Sequence, residues 1–278
     1  MGKYRFPNKD SFFEDGILPF RQPTTNVKEA FEDAQEAVPL LSDIANYIIQ
    51  TSKDSLICTG HDTTLTNKSL RMGKMKSETR LRAKAIEEKG DISKICDIAR
   101  GTIDGSTPEE IAALSAFLDM AYWNEIELPG GARIIDLKNR FEEPTLTDYS
   151  SVKAKIAVPL SGKTGRDYHI VELMVTHKGF EQDIKNQNKN RFHRNSHETY
   201  ELEREIEGRF KSEDLGPEIS KKLGRYIRIA RKTHKDLKEK HGLNRIDYKP
   251  FEKFFEIRLE IEKEEQAKTK NKPETEIG

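Results

Sequence analysis

The sequence predicts an α+β fold: a small mixed, mostly antiparallel sheet of about four to five strands, flanked by helices and followed by a helical C-terminal extension. Apolar residues alternate with lysines and other residues over Val152–Pro159, which is the period of a strand with one buried face. The chain on either side of the strands carries helix formers with apolar residues at helical spacing. Strands grouped in the middle and helices at both ends are typical of the α+β class.

The N-terminal part of the chain predicts a long helix. Asn26 is a suitable N-cap, and Glu29 three residues later completes the pattern of a capping box. Apolar residues then recur at helical spacing, and Pro39 is expected to kink this helix or divide it in two.

An acidic residue follows the next helix in an apolar setting. Helix formers fill Ser77–Lys89, and Gly90 is a suitable stop for that helix. We predict that Ile95–Thr102 forms a short strand that carries Asp97. A further helix is predicted to begin at Thr107–Glu110, where Pro108 occupies the first turn.

Three further strands are predicted, over Ala132–Phe141, Val152–Pro159 and Asp167–Thr176. The segment Ser161–Gly165 joins the last two strands, which therefore form a hairpin. Side chains alternate across a strand, so Glu172 projects from the face opposite the aliphatic row of its strand.

After His177 the sequence predicts helices alone. Their expected ranges are Lys178–Phe210, Pro217–Lys240 and Pro250–Lys268. We divide the chain into an N-terminal helical segment (1–70), a core (71–210) and a charged helical C-terminal extension (211–278).

Charge is unevenly distributed along a chain whose net charge is zero. Val27–Asp54 contains two basic and six acidic residues, whereas Gly216–Arg245 contains ten basic and three acidic residues. The basic segment suits a phosphate backbone such as that of RNA. A solvated helix face that balances the acidic helix is the alternative.

The composition favours a cytoplasmic protein without a membrane association. No run approaches the roughly 18 apolar residues of a membrane span, and the N-terminus lacks the apolar stretch of a signal peptide. The two cysteines, Cys58 and Cys96, fit a reducing compartment.

Two acids and the basic residues between Arg71 and Lys84 point to phosphate chemistry. Asp97 lies among apolar neighbours, where a carboxylate requires a partner or a metal, and Glu172 follows on a later strand. Magnesium takes one or two carboxylates together with substrate phosphates, and basic side chains offset charge on a transferred phosphoryl group. The alternatives are an Asp97 paired with Arg100 or Lys94 and a Glu172 that is an ordinary exposed strand residue.

An ordered set of motifs resembles the RelA/SpoT-type synthetase domain, above all its divergent relatives among small alarmone synthetases and toxin-like proteins. The resemblance extends over roughly Arg71–Arg204. The motifs are K-S-x-x-R at Lys76–Arg80, D-I-A-R-G-T-I at Asp97–Ile103, L-K-N-R-F-x-x-P-T at Leu137–Thr145, the tyrosine Tyr149, and V-E-L at Val171–Leu173.

The resemblance implies a nucleotidyltransferase-like fold and a pyrophosphokinase that uses ATP and Mg²⁺. Such an enzyme transfers the β,γ-pyrophosphate of ATP to the 3′-hydroxyl of a nucleotide, as in alarmone (guanosine tetraphosphate) synthesis, or to the 3′ end of tRNA. It assigns the metal to Asp97 and Glu172, with Glu172 also able to activate the hydroxyl, and the acceptor base to Tyr149. The residues it assigns to ATP are Lys76, Arg80, Lys84, Arg100, Lys138 and Arg140.

The sequence departs from the family pattern at two places. The usual Gly-Tyr-Arg is Asp148-Tyr149-Ser150, which replaces an arginine of the acceptor site and adds a carboxylate. The usual Glu-hydrophobic-Gln is Glu172-Leu173-Met174. The histidine and aspartate pairs of the family's hydrolase half have no counterpart, so the resemblance implies a synthetase without hydrolase activity.

The departures leave open a non-catalytic or repurposed regulator or effector that binds protein or RNA. The transfer of AMP to a protein is a further alternative. The acceptor could be GDP or GTP, an adenine nucleotide, or tRNA. The sequence also leaves open a neutralising partner protein and a homo-oligomer.

Overall fold

The computed structural model describes residues 21–145, 147–163, 165–190 and 217–270. The described helices are α1 (Val27–Cys58), α2 (Glu78–Glu87), α3 (Pro108–Trp123), α4 (Lys178–Asn190), α5 (Pro217–Lys240) and α6 (Lys249–Lys270). The described strands are β1 (Leu70–Met72), β2 (Arg100–Gly105), β3 (Arg133–Asn139), β4 (Val152–Pro159) and β5 (Tyr168–His177).

The five strands form one mixed sheet in the order β1-β2-β5-β4-β3. Among the described strands, β2 and β5 alone pair in parallel, and the other three pairs are antiparallel. The predicted fold class is therefore confirmed, as are the hairpin of β4 and β5 and the two faces assigned to β5.

The predicted strand around Asp97 is wrong in its position. β2 begins at Arg100, where pairing with β5 starts, and Asp97 lies in the irregular segment before it. The backbone of that segment is held by other partners, because Lys76 N donates to Ile98 O. The short edge strand β1 was not predicted, since three residues carry no readable alternation.

α1 begins as predicted and runs to Cys58. Asn26 caps the helix by accepting from the backbone N–H groups of Lys28 and Glu29. The capping box does not form, because the Glu29 carboxylate accepts from the hydroxyl of Thr24 instead. Pro39 lies inside a single 32-residue helix and does not divide it.

One face of the sheet packs against α1 and α3, and this layer holds the main hydrophobic core. α6 covers α3 from outside, where the rings of Phe117 and Phe255 meet edge to face at 5.5 Å. α4 and α5 pack against each other beside β5. The other face of the sheet is left for the site described below.

The predicted ranges of the C-terminal helices agree with α5 and α6 to within two residues. The predicted helix Lys178–Phe210 is described only as far as Asn190, and its remainder lies outside the described residues. Within the described part of the chain, no helix has both the length and the apolar composition needed to span a membrane.

Candidate active site

The open face of the sheet carries charged residues at matching positions on four adjacent strands, β2, β5, β4 and β3. Glu172 on β5 lies opposite Lys155 on β4 in the antiparallel ladder, and opposite Arg100 on β2 in the parallel one. Lys155 is in turn opposite Asp136 on β3. Val152, like the other core-facing residues of β4, is buried on the opposite face, so alternation alone brings these charges to the open side.

A β-bulge decides which residue of β3 faces the site. The ladder between β3 and β4 shifts by one residue between Ile134 and Asp136. Because a bulge moves the following residues by one position, it re-aims a side chain. Asp136 thereby meets Lys155, with 2.9 Å between Oδ2 and Nζ.

Asp97 is clamped by two lysines. Lys76 Nζ donates to one carboxylate oxygen and Lys84 Nζ to the other, each over 2.8 Å. Burial alone would raise the pKa of Asp97, but the two lysines outweigh it and lower that pKa to about 2. The Asp97 side chain is 19% exposed, so its charge lies near the protein surface and not in the core.

Local structure explains how Lys84 reaches Asp97. Ser77 caps α2 by accepting from the backbone N–H of Arg80. Leu81 and Ala85 are buried and fix the inner face of the helix. Lys84 lies three residues after Leu81 and so projects from that same face.

Backbone hydrogen bonds hold the segment of Asp97 against the strand of Glu172. Glu172 N donates to Ala99 O over 3.1 Å. The buried side chain of Gln22 donates to both Ile95 O and Ile170 O and accepts from Ile170 N. This amide therefore fastens the segment before Asp97 to β5.

Asp97 and Glu172 line one cleft of about 350 Å³. Six cationic and four anionic side chains line it, so the cleft carries an excess of positive charge. Its lining residues are Lys84, Glu88, Lys94, Cys96, Asp97, Asp136, Lys138, Arg140, Thr145, Tyr149, Ser151, Lys153, Lys155 and Glu172.

The structure brings most of the residues of the sequence hypothesis together. Asp97, Glu172, Lys84, Lys138, Arg140 and Tyr149 line the cleft. Lys76 is not part of the lining but binds Asp97 directly. Arg80 on α2 and Arg100 on β2 are exposed and lie outside the lining.

Among the cleft residues that the sequence hypothesis did not assign are three charged residues of the strands, Asp136, Lys153 and Lys155. Burial tends to lower the pKa of Lys155, but the hydrogen bond with Asp136 and the charges of Asp136, Cys96 and Glu172 together outweigh it and raise the pKa. The two lysines alternate with buried residues on β4 and could have been found from that alternation. Asp136 could not, because its face depends on the bulge.

The cleft offers hard oxygen ligands for a magnesium ion. Within the described residues, no three His, Cys, Asp or Glu side chains come close enough to hold a metal by themselves. Mg²⁺ does not need such a cage, since it commonly takes one or two carboxylates and completes its shell with substrate phosphates and water. Carboxylates beside cations in an open cleft fit that mode.

No family model matches the sequence, and no curated protein matches it. The fold is similar to several solved structures at low sequence identity. The small alarmone synthetase 1 from Bacillus subtilis, bound to its product pppGpp, is 14% identical over 76% of this chain and 94% of its own, with a TM-score of 0.44. A GTP pyrophosphokinase family protein from Streptococcus pneumoniae is 14% identical over 76% of this chain and 91% of its own, also at 0.44.

The Type VI effector Tas1, solved in a complex with its immunity protein, is 16% identical over 77% of this chain and 96% of its own, with a TM-score of 0.42. The similar structures include small alarmone synthetases. The likeness is structural and distant.

Proposed function

We propose that this protein is a Mg²⁺-dependent pyrophosphokinase that transfers the β,γ-pyrophosphate of ATP to a 3′-hydroxyl group. The acceptor is the 3′-hydroxyl of a nucleotide or of the 3′ end of tRNA. The observation that carries the proposal is the clamp of Lys76 and Lys84 on Asp97 in a cationic cleft shared with Glu172. Triphosphate transfer needs cations for the phosphates and carboxylates beside them.

The proposed reaction forms one bond and breaks one. The 3′-oxygen of the acceptor bonds to the β-phosphorus of ATP, and AMP leaves with the oxygen that bridged the α- and β-phosphorus atoms. The proton of the attacking hydroxyl passes to Glu172, which lies on the cleft floor between β2 and β4. A positioned carboxylate of this kind acts as a general base.

Asp97 and Glu172 would hold the magnesium ion, whose chemical contribution is to offset the negative charge of the phosphates. Lys84 already faces the carboxylate of Asp97 and is placed to exchange that contact for a phosphate oxygen. Lys138 and Lys155 line the same cleft and add charge to the phosphate side. Tyr149 offers an aromatic ring at the cleft for the acceptor base.

The first test uses ATP labelled at the γ-phosphate, with Mg²⁺ and a panel of GDP, GTP, ADP and bulk tRNA. We expect the label on one acceptor with AMP released, and a loss of at least ~100-fold in Asp97→Asn, since electrostatic groups of active sites contribute on this scale. Asp54→Asn is the matched control, because Asp54 pairs with Gln50 on α1.

The products separate this proposal from its rivals. Released pyrophosphate with AMP joined to a protein would indicate AMP transfer instead. Equal absence of transfer in the wild type and Asp97→Asn, across all acceptors, would count against an enzyme and favour a protein that acts by binding.

A further inference from the structure

A helix far along the chain contacts the loop that presents Tyr149 to the cleft. The ring of Tyr149 lies 6.0 Å from that of Phe180 and 5.9 Å from that of His234. Its hydroxyl donates to the carboxylate of Glu181 at the start of α4. α4 therefore holds one edge of the Tyr149 ring. The position of the Tyr149 backbone depends on the two residues before it, Thr147 and Asp148.

α5 holds those preceding residues at two points. The ring atom Nδ1 of His234 lies 2.7 Å from Thr147 O. Because a carbonyl oxygen only accepts, His234 donates this hydrogen bond through Nδ1. One helical turn later, Lys238 Nζ lies 3.2 Å from Asp148 Oδ1.

The Lys238–Asp148 pair is shielded from solvent. The side chains are 8% and 18% exposed, whereas the neighbouring Lys240–Asp183 pair has side-chain exposures of 61% and 24%. Exposed ion pairs contribute little to a conformation. A shielded, charge-assisted hydrogen bond is stronger, so Lys238 constrains the loop more than Lys240 constrains α4.

Asp148 also has the backbone conformation that places it there. Its φ of +64° lies in the left-handed region, which Asp and Asn enter more readily than most residues. The family pattern that the sequence resembles has glycine at this place, a residue with no side chain to form such a contact. Here the carboxylate turns to Lys238, so the residue that departs from the pattern connects the cleft to α5.

We propose that Lys238 is a positioning residue for the acceptor, which acts through Asp148 to hold Tyr149 at the cleft. The inference rests on the proposed function, in which Tyr149 stacks on the acceptor base. It assigns to α5, a helix of the C-terminal extension, a part in acceptor binding and none in binding ATP.

The test compares Lys238→Met, Lys238→Arg and Lys240→Met in the full chain. In Lys238→Met we expect the KM for the acceptor to rise roughly tenfold, as for a lost charged hydrogen bond. The KM for ATP stays within about twofold, because that effect is confined to one substrate. Lys238→Arg restores the acceptor KM, and Lys240→Met leaves both constants unchanged.

A second readout does not depend on turnover. Amide hydrogen exchange across residues 147–151 is expected to speed up in Lys238→Met and to stay at the wild-type rate in Lys240→Met. If Lys238→Met does not fold, Asp148→Asn tests the same contact from the other side, with an amide that tolerates the positive φ.

The outcomes separate the two proposals. A wild type that labels no acceptor defeats the proposed function, and the exchange rates then decide whether Lys238 holds the loop. Unchanged exchange in Lys238→Met overturns the inference. So does an equal rise in both KM values, or a Lys238→Arg variant that behaves like Lys238→Met.

Discussion

Asp136 and Lys155 form an ion pair of 2.9 Å across the bulge of β3, and both side chains face the candidate active site. The pair places Lys155 between two carboxylates, since Glu172 lies opposite it on the next strand. Lys155 is thus held on the floor of the cleft, where a transferred phosphate group would lie.

Asp136→Asn is expected to weaken the proposed transfer without unfolding the protein. The amide cannot hold the ammonium group of Lys155 by charge, so we expect kcat/KM to fall roughly tenfold, the scale of a lost charge-assisted hydrogen bond. Labelled transfer measures this, and circular dichroism checks the fold. Glu78→Gln, which alters an exposed pair with Arg82 on α2, is expected to leave the rate unchanged. An Asp136→Asn variant as active as the wild type would remove Asp136 from the site.

His169 should make the protein less stable in acid. It is fully buried on β5, and burial, helped by nearby Arg166, lowers its pKa to about 3. The unfolded chain takes up a proton near the ordinary pKa of 6.5, so stability falls as the pH drops from about 6.5 towards 3. The expected slope is up to about 1.4 kcal/mol per pH unit.

Urea unfolding at several pH values measures that slope. His169→Leu should flatten it between pH 6 and pH 4, whereas His61→Asn, at a part-exposed site, should not. An unchanged slope in His169→Leu would show that other groups cause the acid sensitivity.

Asp119 should lower the stability of the protein as the pH rises, the opposite of the effect of His169. Burial, with help from Glu142 and Glu252, raises its pKa to about 7. The folded state keeps a proton that the unfolded chain has released, so this group lowers stability as the pH rises from about 4 to 7. Asp119→Asn should therefore gain stability relative to the wild type at pH 8 more than at pH 4. Thermal unfolding at both pH values measures this, and a pH-independent difference would contradict it.

Arg166 should be a strong determinant of stability. Its guanidinium contacts both carboxylate oxygens of Asp33, a residue of α1 with no exposed side-chain surface, and it also approaches Glu29. Removing one partner of a buried pair leaves the other charge uncompensated, at a cost of about 3–5 kcal/mol. Arg166→Ala should lose this much in denaturant unfolding.

Lys28→Ala is the matched control for Arg166→Ala, because Lys28 pairs with Glu32 at an exposed site on the same helix. Its expected loss is below about 1 kcal/mol. Similar losses in the two variants would mean that the connection between the β4–β5 hairpin and α1 is not a buried ion pair in solution.

Elements whose sequence signal lies within a few neighbouring residues were predicted correctly. The alternation of β4 gave its bounds, and Thr107 with Pro108 gave the start of α3, since both signals lie within a few residues. The bulge in β3 leaves no such signal, because it arises from pairing with β4. Asp136 was missed for that reason.

The placement of a site residue could be predicted where it follows from a single helix or strand. It could not be predicted where it depends on contacts between several elements. Arg80 and Lys84 are one turn apart on α2, yet only Lys84 reaches Asp97, which depends on the path of the chain before β2. Asp148 looked like a charge added to the acceptor site. Its pairing with Lys238 depends on a contact between residues 90 positions apart, which no local pattern reports.

The edge strands of the sheet, β1 and β3, have features that affect how readily the protein aggregates. β1 offers only three residues, and β3 combines an interrupted ladder with the cations Arg133 and Lys138. Short, bulged and charged edges are poor templates for strands of another molecule. Concentrated solutions are accordingly expected to resist the fibrous aggregation that begins with intermolecular strand pairing.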